Sequence, residues 1–246
     1  MLLVLMYHRI FDANVKDTVS AFADHLTSLA KQYPIVLPGD PLTPNRLSIC
    51  LTFDDAYCDF YHLVFPILKQ LQIQALLAVP VKFILASTSI DPQTRLGVAQ
   101  AKVMDEEIAL RDAPFCTWQE IKEMVASGLV TVASHSYSHV NMTKPPVNFD
   151  VEVTQSKQVL ETQINKPVDT FIYPFGQMDS LVQKRVKQDY AYTMRIGSAL
   201  NTDWQNKHGL IYRVDADPFW RNGIRWGISH TIRYYMKYLS NTVRYK

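Results

Sequence analysis

Cysteine is scarce: Cys50, Cys58 and Cys116 are the only three in 246 residues. Their odd number and the lack of any CxxC pair exclude a complete disulfide frame and a zinc knuckle. They read as ordinary buried thiols of a chain in a reducing compartment. An excess of one charge is also lacking. The formal net charge is +2, which gives no broad basic field for general nucleic-acid binding. Long apolar runs are missing too, and no stretch approaches the ~20 apolar residues of a membrane span. The opening MLLVLMYHRI is apolar for six residues. It has no basic lead-in and no small-residue cleavage site, so it does not read as a signal peptide. The default expectation is therefore the cytoplasm, although a chain trimmed of its leader would read the same way. No tandem repeat or low-complexity tract is visible.

What is present is a large apolar fraction, 48%. It suits one sizeable domain, within the size range of an α/β barrel. Strand patterns recur at Met1–Met6, Leu47–Phe53, Ala75–Val79, Leu129–Ala133, Asp169–Tyr173, Ala191–Met194 and Ile211–Val214, with a short extra one at Tyr33–Leu37. Helical patterns fall between them: Ser20–Gln32 with Ser20 as cap, Asp59–Leu71, Thr117–Ala126, Phe149–Gln163 and Leu181–Gln188. Thr117 and Glu120 have the spacing of a capping box, and Gly128 supplies a helix stop. Pro38–Arg46, with three prolines and a glycine, is a loop. Residues 84–113 lack a clean period apart from a short helix at Ala99–Ala109. They read as an insertion over one face, either a lid or substrate wall or a plain surface excursion. Ile228–Lys246 predicts a basic, tyrosine-rich C-terminal helix. Its apolar stripe, Ile232, Tyr235, Met236, Leu239 and Val243, is expected to dock on the domain, in preference to a membrane- or RNA-facing reading. Strands alternating with helices imply a mainly parallel sheet, with sites beyond the carboxyl ends of the strands.

Reactive side chains sit at those ends: His8, Asp54 and Asp55, His135, and Asp215. LSICLTFDD delivers two adjacent carboxylates from a strand. Such a pair repels itself and resists burial unless a cation or a proton-transfer task holds it. The plain alternative is a solvated turn with an aspartate capping the next helix. His135 and His139, four apart, can present two imidazoles to one point from a helix or a tight loop. With one carboxylate they make a His2Asp set, three protein ligands and an open position, which is the catalytic form of a zinc site. The second aspartate is then free to accept a proton from water.

LTFDDAYCDFY, SHSYSHVNM and FIYPFG resemble the successive motifs of the polysaccharide deacetylases, carbohydrate esterase family 4. The similarity runs roughly from Leu3 to Arg213. It implies a single-domain distorted (β/α)7 barrel and metal-dependent removal of N- or O-acetyl groups from sugars. By the same resemblance, Asp54 is the catalytic base, and Asp55, His135 and His139 bind the metal. The backbone N–H of Phe175 stabilises the oxyanion. The implied ion is zinc, with cobalt, nickel or manganese as alternatives for a mixed N/O site. The opening LMYHRI resembles the branch of poly-β-1,6-N-acetylglucosamine deacetylases, which makes His8 the acid that protonates the leaving amine; His230 is its rival. Two departures stand out. Ala56 replaces the glycine common after the aspartate pair. Ile172 stands where the arginine that orients the base is expected, with Arg213 as a stand-in. The missing arginine motivates a second expectation, a carbohydrate-binding or assembly protein without turnover. The insertion motivates a third, a metallohydrolase of non-sugar amides.

Overall fold

The protein is described by a computed structural model covering residues 1–11, 17–206 and 209–244. Seven strands close into a parallel barrel in sequence order: β1 (Leu2–Tyr7), β2 (Ser48–Phe53), β3 (Ala75–Val79), β4 (Val130–Ser134), β5 (Thr170–Ile172), β6 (Tyr192–Ile196) and β7 (Ile211–Asp215). The barrel shuts where β1 pairs with β7 through Val4↔Arg213 and Met6↔Asp215. The helices that return the chain are α1 (Thr18–Gln32), α2 (Phe65–Leu71), α3 (Pro92–Gly97), α4 (Glu106–Asp112), α5 (Trp118–Ala126), α6 (Ser156–Ile164), α7 (Ser180–Val186), α8 (Asp217–Arg221) and α9 (Ile228–Arg244).

Strand side chains alternate between two faces, and the two sets separate cleanly. Leu2, Val4, Cys50, Leu76, Ala78, Ala133, Ile172, Met194 and Ile211 form one apolar cluster. The intervening Leu3, Leu5, Ile49, Leu51 and Phe53 join Phe22, Leu26, Ile121 and Leu160 of the helices in another. The first set fills the lumen, and the second glues the helices to the barrel. Continuing the inward series of β2 past Ser48, Cys50 and Thr52 brings Asp54 to the mouth. In β7 the inward series runs Ile211, Arg213. Cys50, Cys58 and Cys116 are free and buried, as their apolar neighbourhoods imply.

Several expectations are corrected. Tyr33–Leu37 is not a strand; only Ile35 bridges to Ile49. Helix α1 begins before Ser20, after Asp17, which makes no side-chain cap. The helices leading into α2 and α6 start as wide π-type turns at Phe60–Val64 and Asp150–Gln155. Residues 84–113 hold α3, a 3-10 turn at Gln100–Lys102 and α4, not one helix over Ala99–Ala109. The capping box of Thr117 and Glu120 is present.

Helix α9 docks by a different face from the one expected. Tyr238 is buried, the Tyr234 ring stacks on Trp226 at 5.2 Å, and Asn241 donates to the Gly197 carbonyl at 3.0 Å. Ile232, Tyr235, Met236 and Leu239 are exposed. The period of the stripe was right, but the barrel is covered by tyrosines one face over. The side chains of Val243 and Arg244, and residue Lys246, lie outside the described residues.

Candidate active site

Residues following four strand ends meet at one mouth of the barrel. Asp54 and Asp55 follow β2, His8 follows β1, His135 follows β4, and Phe175 follows β5 within a 3-10 turn. Asp54 and Asp55 are buried, which removes the solvated-turn alternative. The turn from Asp55 (φ 69°) through Ala56 (φ 54°) is left-handed, so consecutive carboxylates diverge to different tasks.

One ligand atom each from Asp55, His135 and His139 lies within 4.8 Å of the other two. The Nε2 atoms of His139 and His135 stand 3.1 and 3.5 Å from Asp55 Oδ1. Ligands ~2.0–2.1 Å from a tetrahedral zinc would be roughly 3.3 Å apart, so the spacing suits a shared cation. Among the described residues Asp55 Oδ1 has no hydrogen-bond partner although it is buried, and a buried anionic oxygen is costly unless something neutralises it. His135 Nδ1 lies 2.8 Å from the Ile172 carbonyl. That oxygen can only accept, so Nδ1 carries the proton and Nε2 presents its lone pair to the cluster. Burial pushes the His135 pKa down to about 4, which keeps the ring neutral as a ligand requires. For Asp55, burial pushes the carboxyl up, but the two imidazoles outweigh it and the net shift is downward.

His135 and His139 are carried by a tight loop, not a helix. Ser136 (φ 62°) and His139 (φ 54°) are both left-handed, and the Ser136 hydroxyl accepts the His139 N–H at 2.9 Å. The buried Glu152 pins this loop from beneath. Its carboxylate accepts the N–H groups of Tyr137 and Ser138 at 3.1 and 2.9 Å and the Ser138 hydroxyl at 2.5 Å. Beside this loop, Phe175 is itself left-handed (φ 58°, ψ 7°). No hydrogen bond among the described residues uses its N–H, and its ring meets His139 edge-on at 4.8 Å. Gly176 is required beside it: a Cβ there would sit 2.9 Å from the Ile196 side chain, at φ 64°.

Asp54 is held in an ion pair. Arg213 clamps it with Nη1–Oδ1 at 2.7 Å and Nη2–Oδ2 at 2.9 Å, while Nη1 also donates to Thr52 Oγ1 at 3.2 Å. Burial alone would raise the Asp54 pKa; the Arg213 charge, then His135, reverses that and holds the carboxyl well below the usual range. The imidazole of His8, one-third exposed, has Nε2 3.8 Å from Asp54 Oδ2. His230 is elsewhere, packed between Phe219 and Trp226 at 5.3 and 5.6 Å with Nδ1 accepting the Gly227 N–H.

A family model described as polysaccharide deacetylase matches residues 42–194, the stretch that runs from β2 through β6. The chain belongs to the polysaccharide deacetylase family. It is 28% identical over 192 residues to a poly-β-1,6-N-acetyl-D-glucosamine N-deacetylase of Escherichia coli O157:H7; the match covers 65% of this chain and 27% of that protein. The chain thus spans about a quarter of the length of that relative. Among solved structures it is similar to BC0361, a polysaccharide deacetylase from Bacillus cereus (TM-score 0.67, 25% identity, covering 87% of this chain and 64% of that one). It is also similar in fold to IcaB from Ammonifex degensii (TM-score 0.67, 21% identity, covering 92% of this chain and 96% of that one).

For a polysaccharide deacetylase, the two departures now have physical accounts. Ile172 belongs to the apolar lumen, and Arg213 reaches the same carboxylate from β7. Ala56 occupies a left-handed position that glycine would take freely, at a cost of about 1 kcal/mol. Its methyl group is fully buried and returns about as much. Sequence reasoning missed four residues that hold the site and its surroundings. Asp59 Oδ2 accepts the N–H groups of Ile10 and Phe11 at 2.6 and 2.9 Å, fixing the loop that carries His8. Glu152 fixes the histidine loop, as above. Arg9 donates to the carbonyls of Val98 and Leu96, while buried Arg95 grips Glu120 at 2.6 and 2.9 Å. Together these two arginines tie residues 84–113 to the loop after β1 and to α5. For Asp59 the only available signal was its place four residues after Asp55.

Proposed function

We propose that this chain is a metal-dependent deacetylase of N-acetylated sugars, with Asp55, His135 and His139 holding a divalent ion. Zinc suits a His2Asp set best, and cobalt, nickel and manganese are the other candidates. The buried Asp55 Oδ1, 3.1 and 3.5 Å from two imidazole nitrogens at ligand spacing, carries this reading. An ion bound there would supply Lewis-acid polarisation of the acetyl carbonyl and would acidify the attacking water.

The remaining work falls to the chain's own residues. Asp54, kept ionised by Arg213, accepts a proton from the water as its oxygen bonds to the acetyl carbon. The Phe175 N–H donates to the carbonyl oxygen as that oxygen gains charge. His8, across from Asp54, gives a proton to the amine nitrogen as the carbon–nitrogen bond breaks. Water and amide become acetate and a free amino sugar. The pairing of Arg213 with Asp54 favours turnover over a barrel that only binds. The test is acetate release by metal-loaded protein from β-1,6-linked N-acetylglucosamine oligomers, with other linkages and O-acetylated sugars alongside. Release by wild type and not by Asp54→Asn is expected. Equally little release by both across the panel would overturn the assignment.

A further inference from the structure

We infer that α9 is an interfacial helix whose outer apolar face lies on an anionic lipid surface. The helix has two unlike sides. One side is consumed by the barrel through Tyr234, Tyr238 and Asn241. The other presents Ile228 (81% exposed), Ile232 (60%), Met236 (60%) and Tyr235 to solvent. Positions 228, 232, 235 and 236 fall within one arc of the helix, so these side chains make a continuous strip instead of scattered exposure. Ile224, just ahead of the helix, is exposed as well.

Charge decides what covers the strip. No aspartate or glutamate follows Asp217, whereas Arg221, Arg225, Arg233, Lys237, Arg244 and Lys246 do. Arg225, Arg233 and Lys237 are exposed, and no ion pair among the described residues engages them. An apolar strip with tyrosine and flanking cations is the composition that settles into the headgroup layer of a negatively charged bilayer. A second copy of the chain fits worse, because it would set the same uncompensated cations against each other. Nucleic acid fits worse too, because a strip of isoleucine and methionine offers phosphates no donor. The helix lies flat on the surface without crossing it: no helix among the described residues is long and apolar enough for a span.

The proposal is tested by co-sedimentation of the full chain with vesicles of mixed phosphatidylglycerol and phosphatidylcholine, and with phosphatidylcholine alone. Binding to the anionic vesicles, weakened by salt and much reduced on phosphatidylcholine, is expected. Ile232→Glu with Met236→Glu removes it. Each cation near an anionic surface is worth about fivefold in partitioning, so Arg233→Gln with Lys237→Gln weakens binding on the order of 25-fold. Circular dichroism checks that both double variants remain folded, and the second pair keeps the test decisive should the glutamates disturb the helix. The inference is overturned by absence of vesicle binding, by binding indifferent to lipid charge, or by binding unchanged in folded variants. It is also overturned if light scattering finds a dimer without vesicle binding that Ile232→Glu with Met236→Glu dissolves, or if RNA alone is bound.

Discussion

Replacing Arg213 with methionine tests how the base is kept ready. The guanidinium and the Asp54 carboxylate make two hydrogen bonds, at 2.7 and 2.9 Å, and are 1% and 3% exposed. With charge centres about 4 Å apart, their attraction is about 4 kcal/mol at an effective dielectric of 20. Methionine fills similar volume but leaves a buried carboxylate alone, a change that costs about 3–5 kcal/mol. Asp54 can escape that penalty only by taking a proton, and a protonated Asp54 is no base. The sign of the pH effect follows. In wild type the Asp54 pKa is depressed, so its stabilising contribution is complete above the ordinary carboxylate range and lost only as pH falls below it. In Arg213→Met, burial acts unopposed by the guanidinium and the pKa rises. Denaturant melts at neutral pH should therefore show the loss of stability, and Asp54→Asn added to Arg213→Met should recover part of it. Acetate release should fall by about 100- to 10,000-fold at neutral pH, with the acid limb of the kcat/KM profile moved to higher pH. A variant within about 0.5 kcal/mol of wild type and with an unmoved acid limb would refute the reasoning.

Glu152→Gln removes the carboxylate that accepts two N–H groups and a hydroxyl from the histidine loop; it should weaken zinc binding about 10- to 100-fold in a calorimetric titration while the barrel stays folded. His8→Ala should lower acetate release by about 100- to 10,000-fold, while His230→Ala leaves it near wild type; the reverse order would return the acid role to His230. Burial pushes His25, beside the Tyr7 hydroxyl at 2.8 Å, down to about 4. The unfolded chain therefore takes that proton first. The stability His25 contributes is complete above its ordinary pKa of about 6.5 and declines toward about 4, by at most about 1.4 kcal/mol per pH unit. Denaturant midpoints at about pH 7.5 and about pH 5 should diverge less in His25→Gln than in wild type; equal divergence would rule His25 out.

The barrel was legible because buried strands announce themselves locally: LLVLMY and SICLTF are short, apolar and followed at once by reactive side chains. The fold then supplies a common mouth for every strand end, which is why Asp55 and the two histidines could be grouped from spacing and family motifs. What escaped was long-range. Arg213, in IYRVD, could be named as a stand-in for the absent arginine, but nothing local shows that it faces the lumen opposite Asp54, 159 positions away. The closure of β1 on β7 brings the pair together. Glu152 and Asp59 lie at the wide turns before helices, where the 3.6-residue period breaks and pattern arguments lose the face. On α9 the period was readable but the docking face was not. Tyrosines cover the barrel as well as aliphatics do, and hydrophobicity alone ranked Ile232 and Met236 above Tyr234 and Tyr238.

The most direct test of the central claim is the metal content of purified, zinc-loaded and desalted protein, wild type against His135→Ala. One divalent ion per chain in wild type and its loss in the variant is the predicted result. An equal content in both, or none in wild type, would contradict a cation shared by Asp55, His135 and His139.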